Sequence, residues 1–318
     1  MRTMMLLAAG LAGCGDDSDD FGDADSDSDT DTDSDTDGDT DTDTGSGTGT
    51  DSDTDTGTGD DCGTEVLPTD DIFGTEGIAI APDGTLYYSQ SEAVGRRVPG
   101  GAVEDAWVPL PGADTVWGLV LGDDGMLYVG SPSTQTVYRI DTAAAPATAE
   151  NFVTGAGAPN GLAIAADGTV YWSDFSGGRV YREDGGSRAE VTTSGIPQAN
   201  GILFDDDGTL LVLSYGSGNI YRLTLAGGVE TDRVPEATVD GALDGIGMDD
   251  AGRIYVTDNG LGRLLRLSAD FGPEEEIGNG MPQAAGIAWG KGALRCEDVY
   301  VASGGTLGIY NGDTPGRP

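Results

Sequence analysis

Short apolar runs alternate with turn residues along most of the chain, in a unit that returns every 40 to 44 residues. A typical copy is APNGLAIAADGTVYWSD, residues 158–174, in which Asn160-Gly161 opens an apolar run and Asp167-Gly168 turns it back. Asn-Gly and Asp-Gly pairs beside alternating apolar residues are typical of β-hairpins, and no helical period interrupts them. The pattern therefore predicts an all-β chain.

The unit occurs six times, and each copy can be aligned on the residue before its first Gly. We call these six residues the anchors: Glu76, Trp117, Asn160, Asn200, Asp244 and Ala285. Each copy predicts four short antiparallel strands, which is the blade of a β-propeller. A β-sandwich would not explain a constant unit with a constant register, so we expect one six-bladed β-propeller over residues 62–318.

The ends of the repeat predict how the ring closes. The chain stops after the third strand of blade six, and TEVLPTDD, residues 64–71, can supply the outer strand of that blade. Cys62 precedes this strand, and Cys296 precedes the second strand of the same blade. A disulfide between them would fasten a long loop. Two free thiols are the alternative.

The first 61 residues predict export and a tether. Residues 1–14, MRTMMLLAAGLAGC, form an export signal whose apolar run is too short to span a bilayer. Its ending, LAGC, resembles the bacterial lipobox, in which Cys14 would carry the lipid; an ordinary export signal is the alternative. Residues 15–61 hold twenty Asp and no Lys or Arg, which predicts a disordered tether. We expect a lipid-anchored protein of the cell envelope, at the bacterial outer membrane or the cell surface.

The net charge of the chain limits the classes of molecule that we expect it to bind. The net charge is −41 for the whole chain, and −22 remains for residues 62–318 without the segment before them. An acidic domain of this kind disfavours nucleic acid and anionic lipid. We expect a small-molecule substrate, contact with the membrane through the lipid alone, and a monomer. The sequence contains no His, which excludes His-based catalysis and His metal ligands.

The anchors predict a metal site. Equivalent positions on the innermost strands form a ring at one mouth of a propeller channel, so oxygens of Glu76, Asn160, Asn200 and Asp244 would converge on the axis. Facing carboxylates repel unless a cation lies between them. Hard oxygen ligands and a wide ring favour Ca²⁺. Alternatively, the anchors only shape turns, although Glu76 and Trp117 are poor turn residues.

A second set of acidic residues lies at the opposite end of the hairpins. These residues each precede the Gly that lies eight positions after the anchor and are interpreted as turn formers without chemistry: Asp83, Asp124, Asp167 and Asp207.

The ordered anchors resemble those of the senescence marker protein/gluconolactonase family, which includes regucalcin and bacterial sugar lactonases. Residues 158–174 are similar to the third-blade segment of that family, and LDGIGMDDAGRIYVTD to its fifth. The resemblance implies one Ca²⁺ in the central channel, held by Glu76, Asn200 and Asp244. It implies that Asn160 is a further ligand or faces the substrate. It also implies that Asp244 is the general base or the nucleophile.

The implied function is a Ca²⁺-dependent hydrolase of a small ester, lactone or phosphoester. The Arg that sugar lactonases carry just before the third-blade Asn is missing, because Ala158 and Pro159 stand there. A gluconolactone-like substrate is therefore disfavoured.

Four residues near the same mouth are candidates for the substrate pocket: Trp117, Phe175, Tyr215 and Asn259. The alternative function is a non-catalytic propeller, similar to NHL-repeat proteins, that binds a peptide or glycan and uses calcium only structurally. Elimination of the streptogramin-lyase kind needs a catalytic His and is excluded.

Overall fold

A computed structural model describes residues 62–67, 72 and 76–317, which lie in one compact unit, Gly57–Pro318. Across these ranges the chain forms 23 β-strands and no helix, hence none that could cross a bilayer. The predicted export signal, Cys14 and the predicted tether lie outside the described residues.

The strands fall into six sheets in chain order, which confirms the six-bladed β-propeller. Blade one is β1 (Ile78–Ile80), β2 (Leu86–Ser89), β3 (Ala93–Arg97) and β4 (Val103–Pro109). Blade two is β5 (Leu119–Leu121), β6 (Met126–Ser131), β7 (Thr136–Asp141) and β8 (Ala149–Thr154). Blade three is β9 (Pro159–Ile164), β10 (Val170–Asp174), β11 (Arg179–Asp184) and β12 (Ser187–Glu190).

The remaining three blades complete the ring. Blade four is β13 (Ala199–Phe204), β14 (Leu210–Ser214), β15 (Asn219–Ala226) and β16 (Val229–Thr238). Blade five is β17 (Leu243–Met248), β18 (Ile254–Asp258), β19 (Arg263–Leu267) and β20 (Glu275–Gly278). Blade six is β21 (Ile287–Trp289), β22 (Asp298–Ser303) and β23 (Thr306–Asn311).

Apolar side chains between neighbouring blades form the core. The second strand of each blade is almost wholly buried, as in β10 and β18. Its side chains alternate between the two faces of the sheet, and both faces are covered by an adjacent blade. Trp172 of β10, for example, is fully buried among residues of blades two and three. A closed ring of this kind leaves each blade dependent on both neighbours.

The N-terminal segment lies at the seam between blades one and six. Among the described residues sheet six has three strands, and residues 63–65 pair in parallel with the 292–295 turn, whereas residues 68–71 of the predicted outer strand lie outside the described ranges. A Cys62–Cys296 disulfide, with the two Cα atoms 5.5 Å apart, confirms the predicted bridge. The bridge holds the segment beside that turn, which is the insertion that lengthens the sixth copy. Leu67 and Ile72 are then buried against side chains of both blades.

The C-terminal residues provide a second fastening, which the sequence did not reveal. After β23 the chain returns to blade five, where Gly316 bridges to Asp249. The Asp249 carboxylate is fully buried and accepts hydrogen bonds from Arg253 Nε at 2.6 Å and Thr314 Oγ1 at 2.9 Å. Blade six is thereby tied on one side to the N-terminal segment and on the other to blade five.

Candidate functional site at the channel mouth

The anchors of blades three, four and five lie in β-bulges of the innermost strands. In each bulge the anchor and its Gly oppose a single residue of the neighbouring strand, as Asn200-Gly201 oppose Leu213. A bulge bends the strand and re-aims a side chain. The polar anchors of these blades, Asn160, Asn200 and Asp244, are thus turned out of the sheet pattern and line the channel.

Every anchor is followed by Gly because the innermost strands approach one another too closely for a Cβ. A Cβ on each such Gly would collide with the backbone oxygen of the next anchor around the ring, from Gly77 against Trp117 to Gly286 against Glu76. The last of these contacts closes the circle, and Gly286 N donates to Glu76 O at 2.8 Å. The glycines therefore set the radius of the anchor ring.

Hydroxyl groups fix the anchors of alternate blades. Ser89 Oγ accepts hydrogen bonds from the backbone N–H groups of Glu76 at 2.8 Å and Gly77 at 2.9 Å. Ser173 and Thr257 do the same for the Gly after Asn160 and Asp244, at 2.9 and 2.7 Å. Since buried N–H groups need partners, these hydroxyls hold the backbone beneath three of the four polar anchors.

The four polar anchors line a cavity of about 460 Å³ at this mouth. All four sequence-predicted candidates for the substrate pocket line it as well: Trp117, Phe175, Tyr215 and Asn259. The same anchors also line a larger cavity of about 990 Å³ farther along the channel, whose walls include Ile78, Leu162 and Ile246. The anchor ring is therefore a polar layer with an aliphatic channel behind it.

Two carboxyl groups in this layer are held in an unfavourable environment. Burial raises the pKa of Glu76 from 4.5 to about 7, and a hydrogen bond with Asn160 opposes the rise only in part. Burial and the nearby Glu76 charge raise the pKa of Asp244 well above its usual value. Each carboxylate thus disfavours ionisation of the other, and a cation between them would remove that cost.

Asp244 is positioned by its neighbours on blades four and five. Asn259 Nδ2 donates to Asp244 Oδ2 at 3.0 Å, and Asn259 Oδ1 lies 3.5 Å from the Tyr215 hydroxyl. Hydrogen bonds from Asn259 and Asn200 favour the ionised form of Asp244 and act against burial. A chain of contacts therefore runs from the aromatic side of the cavity to the carboxyl group.

The donor set fits a hard cation. Asn200 Oδ1 is buried and has no hydrogen-bond partner, which is costly for an amide oxygen unless it coordinates something. The described residues contain no cluster of three or more His, Cys, Asp or Glu, so a cation here would need the amide oxygens of Asn160 and Asn200 besides Glu76 and Asp244. Two carboxylates and two amides are oxygen ligands of the kind that Ca²⁺ takes. Trp117 and Ala285, the two remaining anchors, contribute no side-chain oxygen.

The sequence missed the polar side of the cavity and the bulges. Gln90, Asp114 and Gln283 come from loops of blades one, two and six and also line the cavity. The residue type at these positions changes from copy to copy, so alignment of the copies gave no signal for them. The bulges had a signal that was overlooked, because an Asn-Gly or Asp-Gly pair at the start of a strand is compatible with an extra residue in the ladder.

The sequence matches no protein-family model, and no curated protein is similar to it. Solved structures do resemble it. A gluconolactonase from Xanthomonas campestris shares 20% identity over 78% of this chain and 88% of its own, with a TM-score of 0.63. A calcium-binding protein, regucalcin, from Agrobacterium tumefaciens shares 18% identity over 77% of this chain and 92% of its own, with a TM-score of 0.62.

A different enzyme also has this architecture. Virginiamycin B lyase from Staphylococcus aureus shares 18% identity over 75% of this chain and 84% of its own, with a TM-score of 0.55. The structural neighbours thus include gluconolactonase- and regucalcin-like proteins, and at these identities they establish the propeller fold.

Proposed function

We infer that the protein is a Ca²⁺-dependent hydrolase of a small ester, lactone or phosphoester. One observation carries this inference: burial raises the pKa of both Glu76 and Asp244, the Glu76 charge adds to the rise at Asp244, and a buried Asn200 oxygen in the same ring has no partner. A structural core gains nothing from such an arrangement, because it combines carboxyl desolvation with an unsatisfied amide. A divalent cation would satisfy all three groups at once.

The four polar anchors are the residues that would hold the ion: Glu76, Asn160, Asn200 and Asp244. When bound, Ca²⁺ supplies Lewis acidity that polarises a carbonyl or phosphoryl oxygen. Asp244 is the residue that would take a proton from the attacking water, or would itself attack the substrate. Asn259 Nδ2 holds one oxygen of Asp244, Oδ2, at 3.0 Å.

The neighbouring enzymes favour hydrolysis over elimination. A variant of virginiamycin B lyase in which one histidine is replaced by alanine is described as catalytically inactive. No histidine occurs among these 318 residues, so the same elimination chemistry has no counterpart here.

The proposal includes export and a lipid anchor. Residues 1–14 support it through their short apolar run and the LAGC ending at Cys14. The Cys62–Cys296 disulfide supports it independently, since disulfides persist mainly in oxidising compartments. A tether of 47 residues could hold the propeller as far as about 160 Å from a membrane.

A chromogenic panel of esters, lactones and phosphoesters, assayed with Ca²⁺ and with a chelator, tests this function. We expect at least one substrate whose turnover requires Ca²⁺ and is lost in Asp244→Asn. Asp167→Asn is the matched control, because Asp167 is a turn residue outside the site. If no compound shows Ca²⁺-dependent turnover while the ion still binds, the propeller is a non-catalytic binding module.

A further inference from the structure

The cavity at the channel mouth has two chemically different sides. Trp117, Phe175 and Tyr215 come from blades two, three and four and form a continuous aromatic arc. The ring centroids of Trp117 and Phe175 are 5.7 Å apart, and those of Phe175 and Tyr215 are 5.5 Å apart, both edge to face. Each of the three side chains is only half-buried, so the arc presents ring surface to the cavity.

The rest of the lining is mostly polar and carries no positive charge. Gln90, Asp114 and Gln283 belong to it, and across the described residues no Lys or Arg lines this cavity. Together with Glu76 and Asp244, Asp114 makes three carboxyl groups in or at the rim of a small volume. Even after one Ca²⁺ is bound, the field in the cavity remains negative, and an anionic substrate would be repelled.

Ala158 lies beside the arc, since the Phe175 backbone N–H donates to Ala158 O at 3.0 Å. Ala158 and Pro159 are both buried here and present no hydrogen-bonding side chain. A polyhydroxylated substrate would lose hydration against the faces of three rings, where only the Tyr215 hydroxyl and the Trp117 indole N–H could compensate. An apolar ring would instead find edge-to-face partners.

We propose that the site takes uncharged, aryl-bearing esters or lactones, and discriminates against anions and polyols. The aryl group packs against Trp117 and Phe175, and the ester carbonyl is directed to the anchor ring. The substrate class rests on the proposed hydrolase, whereas the binding preference of the cavity does not.

Two matched pairs of substrates test the preference for neutral aryl compounds by their rates of hydrolysis. Methyl 4-acetoxybenzoate and 4-acetoxybenzoate carry the same scissile ester and differ in one negative charge. Dihydrocoumarin and D-glucono-δ-lactone are six-membered lactones that differ in an aryl ring against hydroxyl groups. We expect the neutral aryl member of each pair to have a kcat/KM at least about tenfold higher. Equal rates within the pairs, or faster turnover of the anion or the polyol, would overturn the assignment.

A binding measurement separates this assignment from the proposed function. Methyl 4-acetamidobenzoate and 4-acetamidobenzoate have an amide where the ester probes have an ester, and their binding can be followed by calorimetry and by tryptophan fluorescence. We expect the neutral amide to bind at least about tenfold more tightly than the anion. If the amide binds this way but no ester is hydrolysed, the hydrolase fails and the ligand class stands.

Variants of the arc complete the test. Trp117→Ala and Phe175→Ala should each weaken binding of the neutral amide by about three- to tenfold, the range expected for one aromatic contact. Trp117→Phe keeps a ring and should restore most of that loss. Trp107→Phe, on an outer strand of blade one, is the control for the fluorescence signal. Unchanged binding in folded Trp117→Ala and Phe175→Ala proteins would refute the assignment.

Discussion

Acidic residues lie at both ends of the innermost hairpins, and the two ends behave in opposite ways. At the turn end, Asp167 and Asp207 are exposed and accept hydrogen bonds from the residues two positions later. These bonds, from Thr169 and Thr209, lower the pKa of both carboxyl groups. At the mouth, burial raises the pKa of Glu76 to about 7 and that of Asp244 well above its usual value.

The difference shows that residue type does not identify the site. All of these side chains come from the same repeated unit, and Asp167 and Asp244 carry the same functional group. At the turns the carboxylate satisfies backbone N–H groups and improves the fold. At the mouth it is desolvated and faces a like charge, which weakens the fold unless a cation is present. Only the second environment calls for a ligand.

The largest difference between the mouth and the turn end is expected in kcat, when one Asp at each end is replaced by Asn. Asp244→Asn should lower kcat by about a thousandfold, the range typical of a lost general base, because the amide cannot accept the proton. Asp167→Asn should leave kcat unchanged within twofold, as roughly expected for an exposed turn residue. Both are measured under Ca²⁺ saturation on the best substrate of the panel. Comparable losses in the two variants would show that Asp244 has no special role.

The next effect is on metal affinity. Glu76→Gln should weaken Ca²⁺ binding by about a hundredfold, since breaking a buried charge pair costs about 3 kcal/mol. Asp207→Asn, at the turn end, should bind Ca²⁺ like the wild type. Calorimetric titration of the two variants and the wild type measures this, and any background from the twenty Asp of residues 15–61 is the same in all three proteins. Equal affinities of Glu76→Gln and the wild type would remove Glu76 from the ligand set.

Lowering the pH should weaken Ca²⁺ binding at the mouth and leave the turn carboxylates ionised. The raised pKa of Glu76, about 7, means that protons compete with Ca²⁺ below that pH. Ca²⁺ affinity should therefore fall by at least about tenfold per pH unit below about pH 7, since Asp244, whose pKa is also raised, can add a second proton. The turn carboxylates have lowered pKa values and stay ionised over this range, so they contribute no such slope. An affinity that does not change between pH 8 and about pH 5.5 would contradict the assigned burial of Glu76.

Without metal, the raised pKa of Glu76 affects stability in the opposite direction: Ca²⁺ affinity rises with pH, whereas stability falls. The folded-state pKa of Glu76 lies above its usual value of 4.5, so the folded protein binds the proton more tightly than the unfolded chain does. Between pH 4.5 and about 7 the metal-free wild type should lose stability relative to Glu76→Gln as the pH rises. Thermal unfolding of both proteins with a chelator measures the difference. Parallel curves would mean that Glu76 ionises freely in the fold.

The smallest effect belongs to the turns themselves. Asp167→Ala removes the acceptor of the Thr169 N–H, a bond of 2.9 Å, and should cost about 1 kcal/mol of unfolding free energy or less. Ca²⁺ affinity should not change. Denaturant unfolding with the Asp167→Asn protein as control checks the loss, since Asn keeps an oxygen acceptor. A loss of Ca²⁺ binding in Asp167→Ala would couple the turn end to the mouth.

The fold could be predicted because its signal is local and repeated. The turn and the apolar run of each hairpin can be recognised within about a dozen residues. A β-propeller is the fold that accounts for six such copies in one register. The Cys62–Cys296 bridge also followed from position in the ring. The details of closure did not, because the 63–65 segment and the C-terminal residues occur once and pair outside the repeat.

Only those site residues that occupy equivalent positions in the repeated unit could be predicted from the sequence. Alignment of the copies brought the four polar anchors to one mouth, where they do line one cavity. It could not reveal Asn200 Oδ1 as a buried oxygen without a partner, nor the bond from Asn259 to Asp244, since both depend on side-chain geometry. Gln90, Asp114 and Gln283 lie in loops that differ from blade to blade, so nothing in the sequence marked them.

A crystal structure of the protein grown with Ca²⁺ tests the central claim most directly. We expect one ion on the channel axis, with oxygens of Glu76, Asn160, Asn200 and Asp244 about 2.3–2.6 Å from it. An empty axis at saturating Ca²⁺, or an ion bound elsewhere while Glu76 and Asp244 remain apart, would contradict the account.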